Sequence, residues 1–464
     1  MADGISFDHI RTGSNYNLIS LYEEHDSDDI EQDSPFQYNI STCDYHEPDQ
    51  FRINYEDFLT HMSFFHLNCR GLASNWESFH ELLCDLHSDK FAFDCIGISE
   101  LFNCSEDMRI NIPGFHKLIA RNRDDGPRGG VGIFIKEHLN YVIREDISVF
   151  IPHVFESIFV EITMSPKHTV VGVIYRPNSE PRADVDIFSS TLFDIMEVLN
   201  TENKHCVIMG DMNIDLLKFG SHSKTSDYLD NIFTYGYLPV ITKPTRVTNS
   251  SASLIDHIYI NDIASTGHSG IIVTEVADHF GTFYLRIGKK KCLQNPSEKI
   301  RIFSETNKNK FKTCLGKINF QPIQNIMCPN EAYNEFLSLY KNAFENSFPL
   351  RNKTVKSKFV KREPWFSKGL LVSSVKRRKL YYKKLNKPND SNITAFKNYN
   401  NIFNKLKRAM KITYFKISLE ENKFNVKKTW AILRQAIGKL NDKSNYPNTF
   451  MINDIPVTDK LLAV

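Results

Sequence analysis

Cys206-Val207-Ile208-Met209-Gly210-Asp211-Met212-Asn213 decides how this chain is read. Four apolar residues run into Gly-Asp, the pattern of a buried strand that stops where a turn and an acidic side chain take over. Asp211 and Asn213 are two positions apart and would point to the same side of an extended chain. That sets a carboxylate able to activate water beside an amide able to orient it. Outward from this stretch the same texture recurs at 64–67, 95–98, 131–135, 158–162, 170–175, 255–260 and 283–287. These runs are strand-length, rich in Val, Ile, Phe and Tyr, and bounded by Gly, Pro and Asn. Between them, 74–86 (Trp76, Phe79, Leu82, Leu83, Leu86) and 186–199 (Ile187, Phe188, Leu192, Ile195, Met196, Leu199) carry apolar residues at helical spacing. Many strands with few helices predict an α/β domain over 61–289: a two-sheet β-sandwich flanked by helices, four layers in the order α/β/β/α.

The flanking regions differ in charge. The 464 residues carry a net charge of only +2, but residues 1–60 hold 14 Asp/Glu against two Arg, and residues 351–440 hold 25 Lys/Arg against four Asp/Glu. We therefore expect an acidic, largely disordered leader at 1–60, a linker with a helix at 290–350, and a basic helical region at 351–464. Residues 331–344 of the linker and 391–424 of the basic region are the clearest helices beyond residue 289. A basic helical region is a footprint for polyanions, and binding through it would weaken steeply with salt. Nine cysteines without a C-x-x-C pair, and an N-terminus without a basic-then-apolar segment, predict an intracellular protein. No apolar run is long enough to cross a bilayer, so no membrane role is expected.

Further acidic and imidazole groups stand at strand boundaries. Ser253-Leu254-Ile255-Asp256-His257 enters one strand, and Ala277-Asp278-His279-Phe280 precedes another. Taken singly, an Asp before a turn reads as a cap or Asx-turn, and a lone His as a packing residue. The order of motifs is more specific. Leu67-Asn68-Cys69-Arg70-Gly71-Leu72, Ile98-Ser99-Glu100, Gly129-Gly130-Val131-Gly132-Ile133, Val173-Ile174-Tyr175-Arg176-Pro177-Asn178, Gly210-Asp211-Met212-Asn213, Ser253-Leu254-Ile255-Asp256-His257 and Asp278-His279 succeed one another. This series resembles the endonuclease/exonuclease/phosphatase family. With Lys243-Pro244-Thr245-Arg246, the wording is similar to its LINE-type (non-LTR) retrotransposon branch.

The resemblance implies a metal-dependent phosphodiesterase, a DNA endonuclease that uses Mg²⁺, with Mn²⁺ as a substitute. It would nick target DNA and leave a 3′-hydroxyl for target-primed reverse transcription. Glu100 would be the principal metal ligand, with Asn68 orienting the metal site and Asp278 near the ion. Asp211 would accept the proton of the attacking water, Asn213 would hold that water or a phosphate oxygen, and Tyr175 would donate to the phosphorane. His279, positioned by Asp256, would bind the scissile phosphate. Arg70, Arg176, Asn178 and Ser253 would bind substrate. The implied partners are DNA and, through the basic region, element RNA. The implied location is nuclear with a cytoplasmic pool.

Three departures bear on the reading. Arg70 stands where abasic-site endonucleases of the family place a carboxylate, which favours the retrotransposon branch. Leu101 and Ala277 replace the Thr and Ser common in that branch, and losing a hydroxyl is a matter of about 1 kcal/mol. Residues 363–370 and 427–432 look like the connector ahead of a reverse transcriptase, whose aromatic-x-Asp-Asp turn is missing from this sequence. Two alternatives stay open: a non-catalytic nucleic-acid-binding remnant of such an element, and a phosphatase of the same fold acting on inositol phosphates or lipid head groups. Groove-reading segments are expected at 218–227 and 245–252.

Overall fold

Every apolar run expected to be a strand pairs within one of two sheets in the computed structural model. It describes residues 43–437 except 56–59, 89, 103, 105–109, 124–125, 127, 165–166, 179–183, 249–250, 263–266, 288–296 and 355–359, and also 450–452 and 455–457. In chain order the strands are β1 (Asp44–His46), β2 (Thr60–Asn68), β3 (Cys95–Ser99), β4 (Ile119–Arg121), β5 (Val131–Ile135), β6 (Tyr141–Ile143), β7 (Phe150–Ile151) and β8 (Phe155–Ile162). There follow β9 (Thr169–Tyr175), β10 (His205–Asp211), β11 (Leu238–Pro239), β12 (Arg246–Val247), β13 (Ala252–Ser253), β14 (Asp256–Ile260), β15 (Gly267–Ile272) and β16 (Gly281–Ile287). One seven-stranded sheet has the order β1-β15-β16-β2-β3-β5-β4. The other runs β11-β14-β10-β9-β8-β6, with β7 against β8, and β12 and β13 form a separate hairpin.

Two parallel pairs position the site. β2 runs parallel to β3, and β9 to β10. A parallel pair needs a crossover, and each crossover here is a helix laid on the outer face of its sheet. Helix α1 (Pro48–Tyr55) precedes these pairs; α2 (Leu72–Leu86) links β2 to β3, and α3 (Asp184–Thr201) links β9 to β10. Strand alternation then sorts the core. Phe65, Ile96, Ile98 and Phe134 face Phe79, Leu82, Leu83 and Leu86 of α2. Phe64, Cys95, Val131 and Ile133 face the second sheet, whose far side packs on Phe188, Leu192 and Ile195 of α3 and on Tyr228, Leu229 and Ile232 of α4 (Ser223–Thr234). The four layers are those expected from sequence.

Departures have physical causes. β1 and α1 lie inside the stretch expected as a disordered leader; His46 is buried and its carbonyl accepts from Val273, while Phe51 is fully buried against Phe283. With Cys43 and Pro48 also buried, these inward side chains order a polar segment. Residues 1–42 lie outside the described ones. The segment 218–227, expected as a loop, is partly helix, since α4 begins at Ser223. All eight described cysteines are free. Among the described residues no helix is long and apolar enough to cross a membrane.

The chain divides into two compact units, of which Lys290–Lys358 is one. That unit contains the antiparallel pair β17 (Ser297–Arg301) and β18 (Leu350–Thr354), with helices α5 (Glu305–Gly316) and α6 (Pro329–Ser347) between them. Phe303, Phe311 and Phe344 gather around the buried Phe348, with Phe303 at the exposed edge of the cluster. The basic helices α7 (Lys368–Asn386), α8 (Asp390–Glu421) and α9 (Val426–Ile437) belong instead to the unit that contains the two sheets. Tyr381, Tyr382 and Leu385 of α7 join the main core. Arg362, Arg378, Lys407 and Lys411 pair with Asp85, Glu77, Glu81 and Asp49 on α1 and α2. Part of the charge expected to face a polyanion is therefore neutralised internally; Lys379, Lys383, Lys397, Lys405, Arg408 and Lys416 remain exposed or half-exposed.

The sheets approach closely at Gly97 of β3, where a Cβ would lie 2.8 Å from Met209 Cε and 2.9 Å from Val173 Cγ2. Gly97→Val is expected to destabilise the protein by about 1–3 kcal/mol through overpacking. Urea denaturation followed by tryptophan fluorescence measures it.

Candidate active site

Because each crossover pair is parallel, β2, β3, β9 and β10 all end on one rim, and their C-terminal residues meet there. Asn68 ends β2 in register with Ser99, the residue before Glu100, and Asp211 ends β10 in register with Tyr175. The loops after β2 and β3 are zipped together by Gly71 N–H to Glu100 O at 2.8 Å and Leu72 N–H to Leu101 O at 3.0 Å. Arg70 and Glu100 both have positive φ, 45° and 53°, a strained backbone of the kind that sites retain. Gly130 holds the Glu100 loop through Leu101 and is itself held by the buried Glu156 carboxylate, which is paired with Arg123. Leu101 is buried in the core, so its identity fills space and does not alter the rim.

The fully buried Asn68 connects the two sheets. Its Nδ2 donates to Glu100 Oε1 and to Asp211 Oδ2, both at 2.8 Å, and its Oδ1 accepts from the Arg70 N–H at 3.0 Å. Asp211 is buried as well, and its Oδ1 accepts from the Asn213 N–H at 3.1 Å. Burial first, and the neighbouring Asp256 charge second, raise the Asp211 carboxyl above its usual range. A carboxylate made more basic in this way is suited to take a proton. Tyr175 is buried beside it, and burial, Glu100 and Asp211 push its phenol well above 10, which keeps it a neutral donor.

Behind this group lies the imidazole. His279 Nδ1 is 2.8 Å from Asp256 Oδ2, and the same oxygen accepts from the Thr245 hydroxyl at 2.7 Å. Burial opposes charge on the ring, but Asp256, Asp211 and Asp278 outweigh it and raise His279 to about 9. At neutral pH it is an imidazolium, matched to an anion. His66, fully buried beside Ser99, goes the other way: burial lowers it to about 4 and it stays neutral.

Several expected roles change. Asn213 has φ 49°, so the chain is no longer extended there; a turn, and not strand alternation, brings it to Asp211. Its Nδ2 donates to Arg176 O at 2.7 Å. Arg176, expected to bind substrate, is 6% exposed and donates to the carbonyls of Met212 (2.7 Å) and Asn213 (2.6 Å). It shapes the Asp211–Asn213 turn from inside. Asp278, expected near the metal, is gripped by Arg246 at 2.7 Å and Arg70 at 3.4 Å, which neutralise it. Arg70 is largely exposed and Asn178 is exposed at the rim's margin, while Ser253 is half-buried in the β12–β13 hairpin. Sequence reasoning misses the work of Thr245 and Arg246, although their motif stands out, and it holds no hint of His66 or Glu156.

The donors fit a hard divalent cation. Among the described residues, Asp211, Asp256 and His279 are the trio whose ligand atoms lie within 4.8 Å of one another. His279 is committed to Asp256 as a cation, so that trio does not offer a free imidazole. Glu100, half-buried and oriented by Asn68, offers oxygen ligands at the more open edge, the donor chemistry that Mg²⁺ takes.

Residues 65–279 match the model of the Endonuclease/Exonuclease/phosphatase family. The family segment runs from β2 to His279 and so contains every group described above. No curated protein matches the chain. Among solved structures, the endonuclease domain of TRAS1, a telomere-specific non-LTR retrotransposon, is 12% identical with a TM-score of 0.37, covering 50% of this chain and 99% of that one. A 3′-5′ exonuclease from Neisseria meningitidis is 15% identical with a TM-score of 0.39, covering 49% and 100%. The catalytic domain of Xenopus laevis APE2 is 17% identical with a TM-score of 0.38, covering 50% and 95%.

His279 lies above its ordinary value, so its charge, and the stability drawn from the Asp256 pair, is fully present below about pH 6.5 and lost as pH rises through about 9. NMR of the His279 ring should show protonation persisting to about pH 9. Asp256→Asn should bring the transition down by roughly one unit or more, and an unchanged midpoint would remove Asp256 as the cause.

Proposed function

We propose that this chain is a divalent-metal-dependent DNA endonuclease of the LINE type. It cuts one strand and leaves a 3′-hydroxyl that the reverse transcriptase of a full element would extend. The observation that carries the reading is the meeting of a proton-accepting carboxylate, Asp211, with an anion-binding imidazolium, His279, on one rim with Glu100. The order and wording of the sequence motifs support the retrotransposon branch.

A cation bound at Glu100, Mg²⁺ or Mn²⁺, would supply positive charge to the phosphate and its leaving oxygen. Asp211 takes the proton of the water that attacks phosphorus. Asn68 keeps Asp211 and Glu100 in place, and Arg176 fixes the turn that brings Asn213 to the attacking side. Tyr175 donates its hydroxyl proton in a hydrogen bond to the charge that builds on the phosphate oxygens, and His279 holds a non-bridging oxygen. The bond from phosphorus to the 3′ oxygen breaks, the phosphate stays on the 5′ side, and the leaving oxygen takes a proton from solvent to become the 3′-hydroxyl. Exposed Arg70 is placed to meet the flanking backbone. Asn178 and Ser253 are further proposed contacts.

The remnant alternative predicts a site whose members have drifted apart. The hydrogen bonds from Asn68 to both carboxylates and from His279 to Asp256 count against it. The exposed lysines and arginines of α8 and α9 are the proposed contacts for target DNA or element RNA. Action on chromosomal DNA makes the nucleus the proposed place of work, with a cytoplasmic pool.

Supercoiled plasmid is expected to be nicked in Mg²⁺ and not in EDTA. Asp211→Ala and His279→Ala should each lower the rate on the order of 10²-fold or more. Equal nicking by all three proteins would mean a contaminant and would defeat the assignment.

A further inference from the structure

The family match stops at residue 279, but the segment 273–279 that delivers Asp278 and His279 is also held from outside the matched region. On one side, the Val273 N–H donates to His46 O at 2.9 Å. On the other lies α7. The Tyr382 hydroxyl donates to Val273 O at 3.4 Å, and Arg377 is ion-paired with Glu275. Arg377 is 6% exposed, and its guanidinium lies 4.4 Å from the centre of the Phe403 ring on α8, so its head group is fixed between two partners. Tyr381, the next turn of α7, is within electrostatic reach of both Glu275 and Asp278. The neighbouring Arg378 ties α7 to Asp85 on α2 and Asp49 on α1. Helix α7 is thus anchored to the fold at one point and grips the catalytic segment at another.

We propose that α7 is a positioning element of the active site. Arg377, acting through Glu275, and Tyr382, acting through Val273, set the segment 273–279 so that His279 meets Asp256 and Asp278 meets Arg246. Glu275 is three residues from Asp278 and four from His279, so the backbone between them is a short lever. A misplacement of about 1 Å at a reacting group can cost a site on the order of 10²-fold in rate, and three or four residues do not absorb such a shift. Placing a buried Arg377 against a half-buried Glu275 is also a poor way to gain stability alone, whereas a bidentate-capable Arg on a carboxylate fixes direction. Arg377 is a positioning residue, since it touches neither the carboxylate pair nor the imidazole. The activity arm of this inference rests on the nuclease reading; the mobility arm does not.

The full chain and its Arg377→Gln, Arg377→Lys, Glu275→Gln and Lys411→Ala variants separate the possibilities. Lys411 pairs with Glu77 on α2, away from the segment, and serves as the control for general packing of the basic helices. Backbone hydrogen exchange is expected to quicken at 273–280 in Arg377→Gln and in Glu275→Gln, to return part of the way in Arg377→Lys, and to stay native in Lys411→Ala. With plasmid substrate, kcat should fall roughly tenfold or more in Arg377→Gln with KM nearly unchanged, which is the signature of a misplaced group and not of lost binding. Native exchange and native kcat in both Arg377→Gln and Glu275→Gln would overturn the proposal. So would equal loosening of 273–280 in Lys411→Ala. If Arg377→Gln does not fold, Glu275→Gln decides. A chain that nicks no DNA at all would sink the nuclease reading, while the exchange data would still decide whether α7 holds the segment.

Discussion

One side-chain amide joins the two sheets where the chemistry is placed. Asn68 belongs to the first sheet and donates to Glu100 of that sheet and to Asp211 of the other, from a fully buried position. Two carboxylates that would repel each other share one neutral donor. The cost of losing it would be about 1–3 kcal/mol for each buried acceptor left unmet. Everything else at the rim is arranged around that junction: parallel strands bring the groups to one end, and the loops zip together beneath Glu100.

Charge is arranged in a gradient across the site. The carboxylate end holds Glu100 and Asp211, the far end holds the Asp256–His279 pair, and Arg246 with Arg70 closes over Asp278. Asp256 and Asp278 each face a cation, whereas burial and Asp256 raise the carboxyl of Asp211 and make it the more ready to accept a proton. A phosphodiester brings negative charge that the imidazolium, Arg70 and a cation would offset. This division of labour is set where β2, β3, β9 and β10 end and where β14 and β16 begin.

Much of this is legible in the sequence because strands announce themselves by apolar runs, and sites by the polar residues at the ends of those runs. Asp211, Asp256 and His279 are readable as strand-end residues, and the two crossover helices have clear apolar faces. Arg176 is misread because an arginine after a strand looks the same whether it meets a phosphate or its own chain's carbonyls; only burial tells them apart. Residues 44–55 pass for leader because their inward side chains, His46, Pro48 and Phe51, leave no periodic trace in a polar segment. The basic helices read as a polyanion surface because sequence shows charge but not partners, and Arg362, Arg377, Arg378, Lys407 and Lys411 find theirs on distant acidic residues. Gly97 is the reverse case, a residue with no chemistry whose missing side chain lets the sheets close.

The central claim is that Glu100, oriented by Asn68 beside Asp211, holds one divalent cation. Titrating Mn²⁺ into protein labelled with ¹⁵N-asparagine tests it directly, because a paramagnetic ion broadens the nearest amide. The Asn68 side-chain signal is expected to disappear first and saturably, and Glu100→Gln to protect it. Loss of other asparagine signals while that of Asn68 persists, or broadening indifferent to Glu100, would contradict it.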